Sequence, residues 1–219
     1  MLKIFYPTLT LIHIALLIWA FAFAQPALAF VALVIVQLTV IYDNAIVSLG
    51  IRLPHGSLLE FLNRGRFLLH ATCTALLLFP ALEQTHLTHL NLFAVFSSLI
   101  FAGIGLTTSV INKQLIPICQ QGIARYALSV NEQTRCPDVD YTPAQLQAKA
   151  LPPIQSILTV LVILIIGIYA AITQAQYNLL IASIVMLIAG GLPPKKFGVI
   201  PQALSEVVML AVLIVGFAG

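Results

Sequence analysis

Apolar positions along this chain come in long continuous runs, not in alternation. Seven runs stand out, at about 7–24, 27–50, 67–83, 90–111, 153–173, 177–192 and 199–218. Helices of about 17–25 apolar residues, rising 1.5 Å per residue, cross the roughly 30 Å hydrocarbon core of a bilayer. A membrane β-barrel would need alternating strands of about ten residues instead. The pattern therefore predicts an all-α polytopic membrane protein, a seven-transmembrane-helix bundle forming a single transmembrane domain over 1–219. The sixth run is short, so it fits a helix with little tilt or a locally thinned bilayer. Pro26 is expected to turn the chain between the first two helices, and the GLPPKK stretch at 191–196 to end the sixth.

Composition agrees with lipid as the solvent: 60% of the 219 residues are hydrophobic and 8% are charged, with mean hydropathy +1.04. So little polar surface cannot cover a water-soluble core of this size. The ten basic residues fall at Lys3, at Arg52, Arg64 and Arg66, at Lys113, Arg125, Arg135 and Lys149, and at Lys195 and Lys196. With seven crossings, all of them lie on one side. The positive-inside rule makes that side cytoplasmic, which predicts a cytoplasmic N-terminus and an exoplasmic C-terminus. The net charge of +3 is spread over short loops, so it suits anionic membrane lipid and not nucleic acid. The expected location is a plasma or bacterial inner membrane. The first 24 residues also have the outline of a secretory signal peptide, with Ala-Phe-Ala at 22–24 as its cleavage site. His13 interrupts the apolar run, and the uncleaved reading is preferred.

One long hydrophilic connection, 112–152, separates the fourth and fifth runs. Thr142 and Pro143 make a cap and first-turn pair for a short helix through Ala150. The stretch 114–130 reads as an interfacial amphipathic helix or as an ordinary connection. Cys119 and Cys136 share this connection. On the cytoplasmic side they are expected to remain thiols.

Ionisable groups within apolar helices are costly, and they mark functional paths. Asp43, His70 and Glu206 are the candidate acid–base groups; Asn44, Arg64, Arg66 and His13 are candidate substrate-binding groups. Each lies within about 15 Å of the basic boundary along its helix, so they can converge. YDN at 42–44 and LNRGRFLLH at 62–70 belong to adjacent antiparallel helices. An Arg paired with Asp43 would offset the burial of both, leaving the other Arg for a phosphate or carboxylate. Glu83, His86 and His89 have the spacing of a helical metal pattern but no second copy, so neither a metal nor a cofactor is assigned.

These residues favour an integral membrane enzyme acting on a lipid-like or isoprenoid-like substrate with a polar or anionic headgroup, at a cytoplasm-facing intramembrane site. The expected partners are membrane lipid and a lipid-like or small anionic substrate, with no nucleic acid and no protein partner assigned. Two alternatives use the same residues: a transporter for a small solute, ion or proton, and a membrane-complex assembly factor that docks through 112–152.

Overall fold

The structure is a computed structural model, described over residues 2–22, 27–193 and 197–217. Its long helices are α1 (Leu2–Ala22), α2 (Leu28–Leu49), α3 (Ser57–Cys73), α5 (Asn91–Ser109), α7 (Ile154–Gln174), α8 (Asn178–Gly191) and α9 (Ile200–Val215). Two shorter ones are α4 (Leu78–Gln84) and α6 (Pro143–Gln147). The expected turn at Pro26, the site after Ala24, and Lys195 and Lys196 lie outside the described residues.

The expected bundle of seven membrane-spanning helices, with termini on opposite sides, is corrected by the structure. Among the described residues, five helical segments are long and apolar enough to span: Leu2–Ala22, Leu28–Leu49, Ser57–Gln84, Thr88–Ser109 and Ile154–Gln174. Helices α8 and α9 have only 14 and 16 residues. At 1.5 Å per residue they extend about 21 and 24 Å, short of a roughly 30 Å core. Apolar run length overstated them, because α7 stops at Ala175 in a left-handed conformation and α8 gives way at Leu192 to extended backbone. The count that set the termini on opposite sides therefore loses its basis. The molecule is an integral, multi-spanning membrane protein whose apolar helix faces are suited to lipid contact, consistent with a plasma or inner membrane location.

Neighbouring helices pack as a closed circuit: α1 on α2, α2 on α3, α3 on α5, α5 on α7, α7 on α8, α8 on α9, and α9 back on α1. Between α3 and α4 the chain tightens into a 3₁₀ turn at Thr74–Leu77, stabilised by the Ser98 hydroxyl donating to the Ala75 carbonyl at 3.1 Å. Helix α4 carries Leu78, Phe79, Ala81 and Leu82, all buried, and it sits against α2, α5, α7 and α9. A helix that is apolar all round belongs in an interior. These residues join Leu33, Ile163, Met209 and Leu213 in the main core.

The connection 112–152 does not contain the amphipathic helix. It folds into a β-hairpin of β1 (Ile116–Gln120) and β2 (Ile123–Ala127). Pro117 has no N–H to give to a helix ladder. Gln121 and Gly122 both take positive φ, at 51° and 77°, the conformation of a two-residue type I′ turn. Ile123 packs with Leu2, Tyr6 and Val47, while Tyr126 packs with Leu59 and Leu115. The hairpin thus covers the start of α1, the end of α2 and the start of α3. Cap and helix at 142 form through a capping box between Thr142 and Gln145, and α6 ends at Gln147.

Gly50 is what lets β2 reach α2. Its carbonyl accepts from Ala124 N at 2.9 Å, and a Cβ at position 50 would run into the Ala124 carbonyl. Gly50→Val is expected to lift the hairpin away without melting the helices. Limited proteolysis should then cut between 116 and 127 faster than in the parent protein, at unchanged helical circular dichroism.

Candidate functional site

A polar cavity forms where α2, α3 and α9 meet β2 and the segment leading into α7. Asp43 from α2 and Arg66 from α3 form a two-pronged ion pair, Nε to Oδ1 at 2.8 Å and Nη2 to Oδ2 at 3.2 Å. The third prong of Arg66, Nη1, donates to Asn63 Oδ1 at 2.8 Å. Asn63 is fully buried and holds itself in place by donating to Leu59 O at 2.7 Å, while its Oδ1 also accepts from Tyr126 N at 3.4 Å. Each of the three guanidinium nitrogens of Arg66 thereby donates a hydrogen bond. This geometry offsets the loss of hydration that burial imposes on both ions.

Around that pair lies a cavity of about 340 Å³ lined by Asp43, Arg66, His70, Arg125, Gln155, Gln202 and Glu206 among others. His70 Nε2 and Ser156 Oγ are 3.3 Å apart. Gln202 and Glu206 stand one turn apart on α9 and line the same cavity. Arg125 arrives from the hairpin close to Tyr6 of α1. Burial, and after it the nearby charge of Arg66, lower the pKa of Arg125 from its ordinary value, with Tyr6 and Asp43 opposing. Two guanidinium groups therefore repel across one cavity, and the Asp43 carboxylate is committed to one of them. Arg125 Nε and Gln155 Oε1 are buried without hydrogen-bond partners among the described residues. One donor and one acceptor are thus left for a polar ligand to satisfy.

A second, smaller cavity of about 50 Å³ continues inward and shares Val40, His70, Gln202 and Glu206 with the first. Its other walls include Val36, Leu77, Met186, Met209 and Leu210. Polar space near the hairpin thus passes into apolar space among the helices, with His70 and Glu206 at the junction.

Of the residues singled out from sequence, Asp43, Arg66, His70 and Glu206 come together here. Arg64 does not: it pairs with Glu60 at 2.7 Å on an exposed face and lines a separate apolar groove between α3 and α5. Residues two apart on a helix point in widely different directions, so Arg64 and Arg66 cannot share the site. Asn44 is buried and donates to Val40 O in its own helix at 2.9 Å. His13 is buried at the interface of α1 and α2, where Gln37 Nε2 donates to its carbonyl at 2.8 Å; neither it nor Asn44 lines the cavity. Arg125 was the residue that sequence reading passed over. The available signal was the alternation of Ile123 and Arg125, which places both on the hairpin face toward α1 and α2.

A second cluster lies within the hairpin region. His55, Cys119 and Cys136 bring three ligand atoms within 4.8 Å of one another, a set that can hold a metal ion. Contrary to the expectation of free thiols, Cys119 and Cys136 are joined as a disulfide, their Cα atoms 4.9 Å apart. The fold doubles the chain back and brings the two positions together whatever the compartment. Glu83, His86 and His89 do not form such a group among the described residues.

Comparison with known proteins finds nothing similar: no family model, no curated protein and no solved structure matches this chain.

Asn63 links the ion pair to the hairpin, so its removal should be felt in both. Asn63→Ala is expected to cost about 1–3 kcal/mol, the range for leaving buried partners unpaired. Thermal unfolding in detergent measures this; an unchanged midpoint would remove Asn63 from the account.

Proposed function

We propose that this protein is an integral membrane enzyme acting on a lipid-like substrate with an anionic headgroup, bound where the hairpin meets the helices. The observation that carries this reading is the continuity of a polar cavity, with two arginines, into an apolar one that shares His70 and Glu206. An amphiphile has the same division. Its headgroup would satisfy Arg125 Nε and relieve the repulsion between Arg125 and Arg66, and the first carbons of its tail would face Val36, Leu77 and Met209.

Asp43 has both oxygens engaged by Arg66, so its role in this reading is to fix the Arg66 fork and not to move a proton. Acid–base work falls to His70, within reach of Ser156, and to Glu206. Both stand where headgroup and tail would join, the position at which a headgroup bond is made or broken. Transport would require a polar route onward through the molecule. The inner cavity instead ends against Leu77, Met209 and Leu210, which belong to the packed apolar core.

Native mass spectrometry of the detergent-solubilised protein tests the binding, using a diacylglycerol phosphate and the same diacylglycerol without phosphate. The phosphorylated probe should be retained preferentially. Arg125→Gln should weaken it about 10- to 100-fold, the worth of one charge-assisted contact, and leave the neutral probe unaffected. Equal retention of both probes by the parent protein would sink the proposal. His70→Gln should keep binding but lose turnover of headgroup-labelled phospholipid. Undiminished turnover would remove His70 from the chemistry.

A further inference from the structure

We infer that His55, Cys119 and Cys136 form a binding site for a thiophilic divalent metal of the zinc class, present when Cys119 and Cys136 are thiols and abolished when they are joined. Three separated segments supply the ligands: the turn before α3, strand β1, and the chain after β2. Their ligand atoms fall within 4.8 Å of one another, and His55 Nε2 is 3.9 Å from Cys136 Sγ. Ligands about 2.0–2.3 Å from a tetrahedral zinc are separated by about 3.3–3.8 Å, so the site needs side-chain rotation and no rebuilding of the backbone.

The surroundings hold these segments in place without using the sulfur atoms. Cys136 N donates to the Tyr141 hydroxyl oxygen at 2.9 Å, and that hydroxyl donates to Pro117 O at 2.9 Å. The His55 ring stands edge-on to Tyr126, with centroids 5.6 Å apart. In the disulfide form His55 Nε2–H donates to Ile118 O at 3.1 Å. A dithiol reductant opens the Cys119–Cys136 bond by giving up two electrons and two protons, and closes to its own disulfide. The metal then displaces the two thiol protons to solvent. His55 binds through Nε2, whose proton leaves to solvent while Nδ1 takes one up. Two thiolates and one imidazole leave a fourth coordination position that no further His, Cys, Asp or Glu of the cluster fills. The choice of soft, borderline metals over magnesium or calcium follows from the sulfur ligands.

The test uses the purified full chain in detergent, either reduced with dithiothreitol and desalted without oxygen or left oxidised, and titrated with cobalt(II). Reduced protein should develop a thiolate-to-cobalt charge-transfer band saturating at one ion per chain, displaced by zinc; oxidised protein should show none. His55→Ala and Cys136→Ser should each weaken binding by at least about 100-fold, since even the loss of a supporting group outside the ligand set costs about 10–100-fold. Cys73→Ala, the remaining cysteine, should leave the band unchanged. The comparison of oxidised with reduced parent protein needs no variant to fold. No thiolate band in the reduced protein, or a band that survives His55→Ala at full strength, overturns the proposal.

Discussion

The ion pair between Asp43 and Arg66 is the constraint on which the arrangement of this end of the molecule depends. A carboxylate and a guanidinium placed between packed apolar helices are tolerated only if each satisfies the other. The two-pronged geometry does so, and it fixes the register of α2 against α3. Asn63 carries the constraint further by accepting from both Arg66 and the backbone of Tyr126. One helix pair and one strand are thereby held to a common reference, and the cavity wall inherits its shape from them.

The hairpin turns this fixed corner into a cavity. It docks because Gly50 permits close approach and because Ile123 fits among Leu2, Tyr6 and Val47. Arg125, two residues on, then faces the same way and reaches Tyr6. The cavity is therefore composite, with helices supplying the committed ion pair and the hairpin supplying a cation that the pair does not neutralise. The cysteine and histidine cluster occupies the opposite part of the same hairpin, with Cys119 facing Ala124 across the ladder. Its bonding state and the placement of Arg125 rest on one small two-stranded unit.

Sequence reading was strongest where a long-range physical cost leaves a local mark. Apolar runs revealed the helices, since a continuous apolar segment in lipid satisfies its backbone polar groups within itself only as a helix. Isolated ionisable residues within those runs drew attention to His13, Asp43, His70 and Glu206, and the basic boundary next to His70 to Arg64 and Arg66. Direction around the helix was harder: Arg64 and Arg66 look alike in sequence, and only packing shows that one faces outward to Glu60. Run length could not reveal that α8 and α9 are too short to match the other five. The hairpin escaped notice because strands of five residues in a polar connection carry little periodic signal, and their stability comes from contacts with helices far away in sequence. The pairing of Cys119 with Cys136 was illegible for the same reason, and only the short alternation with Ile123 marks Arg125.

The most direct test of the central claim is a double-mutant cycle on thermal stability with Asp43→Asn and Arg66→Gln, singly and together. If the pair organises this end of the molecule, each single variant leaves a partner uncompensated and the double variant recovers part of the loss, giving a coupling energy above about 1 kcal/mol. Additive losses within about 0.5 kcal/mol would mean that the two residues act independently, and would contradict the account.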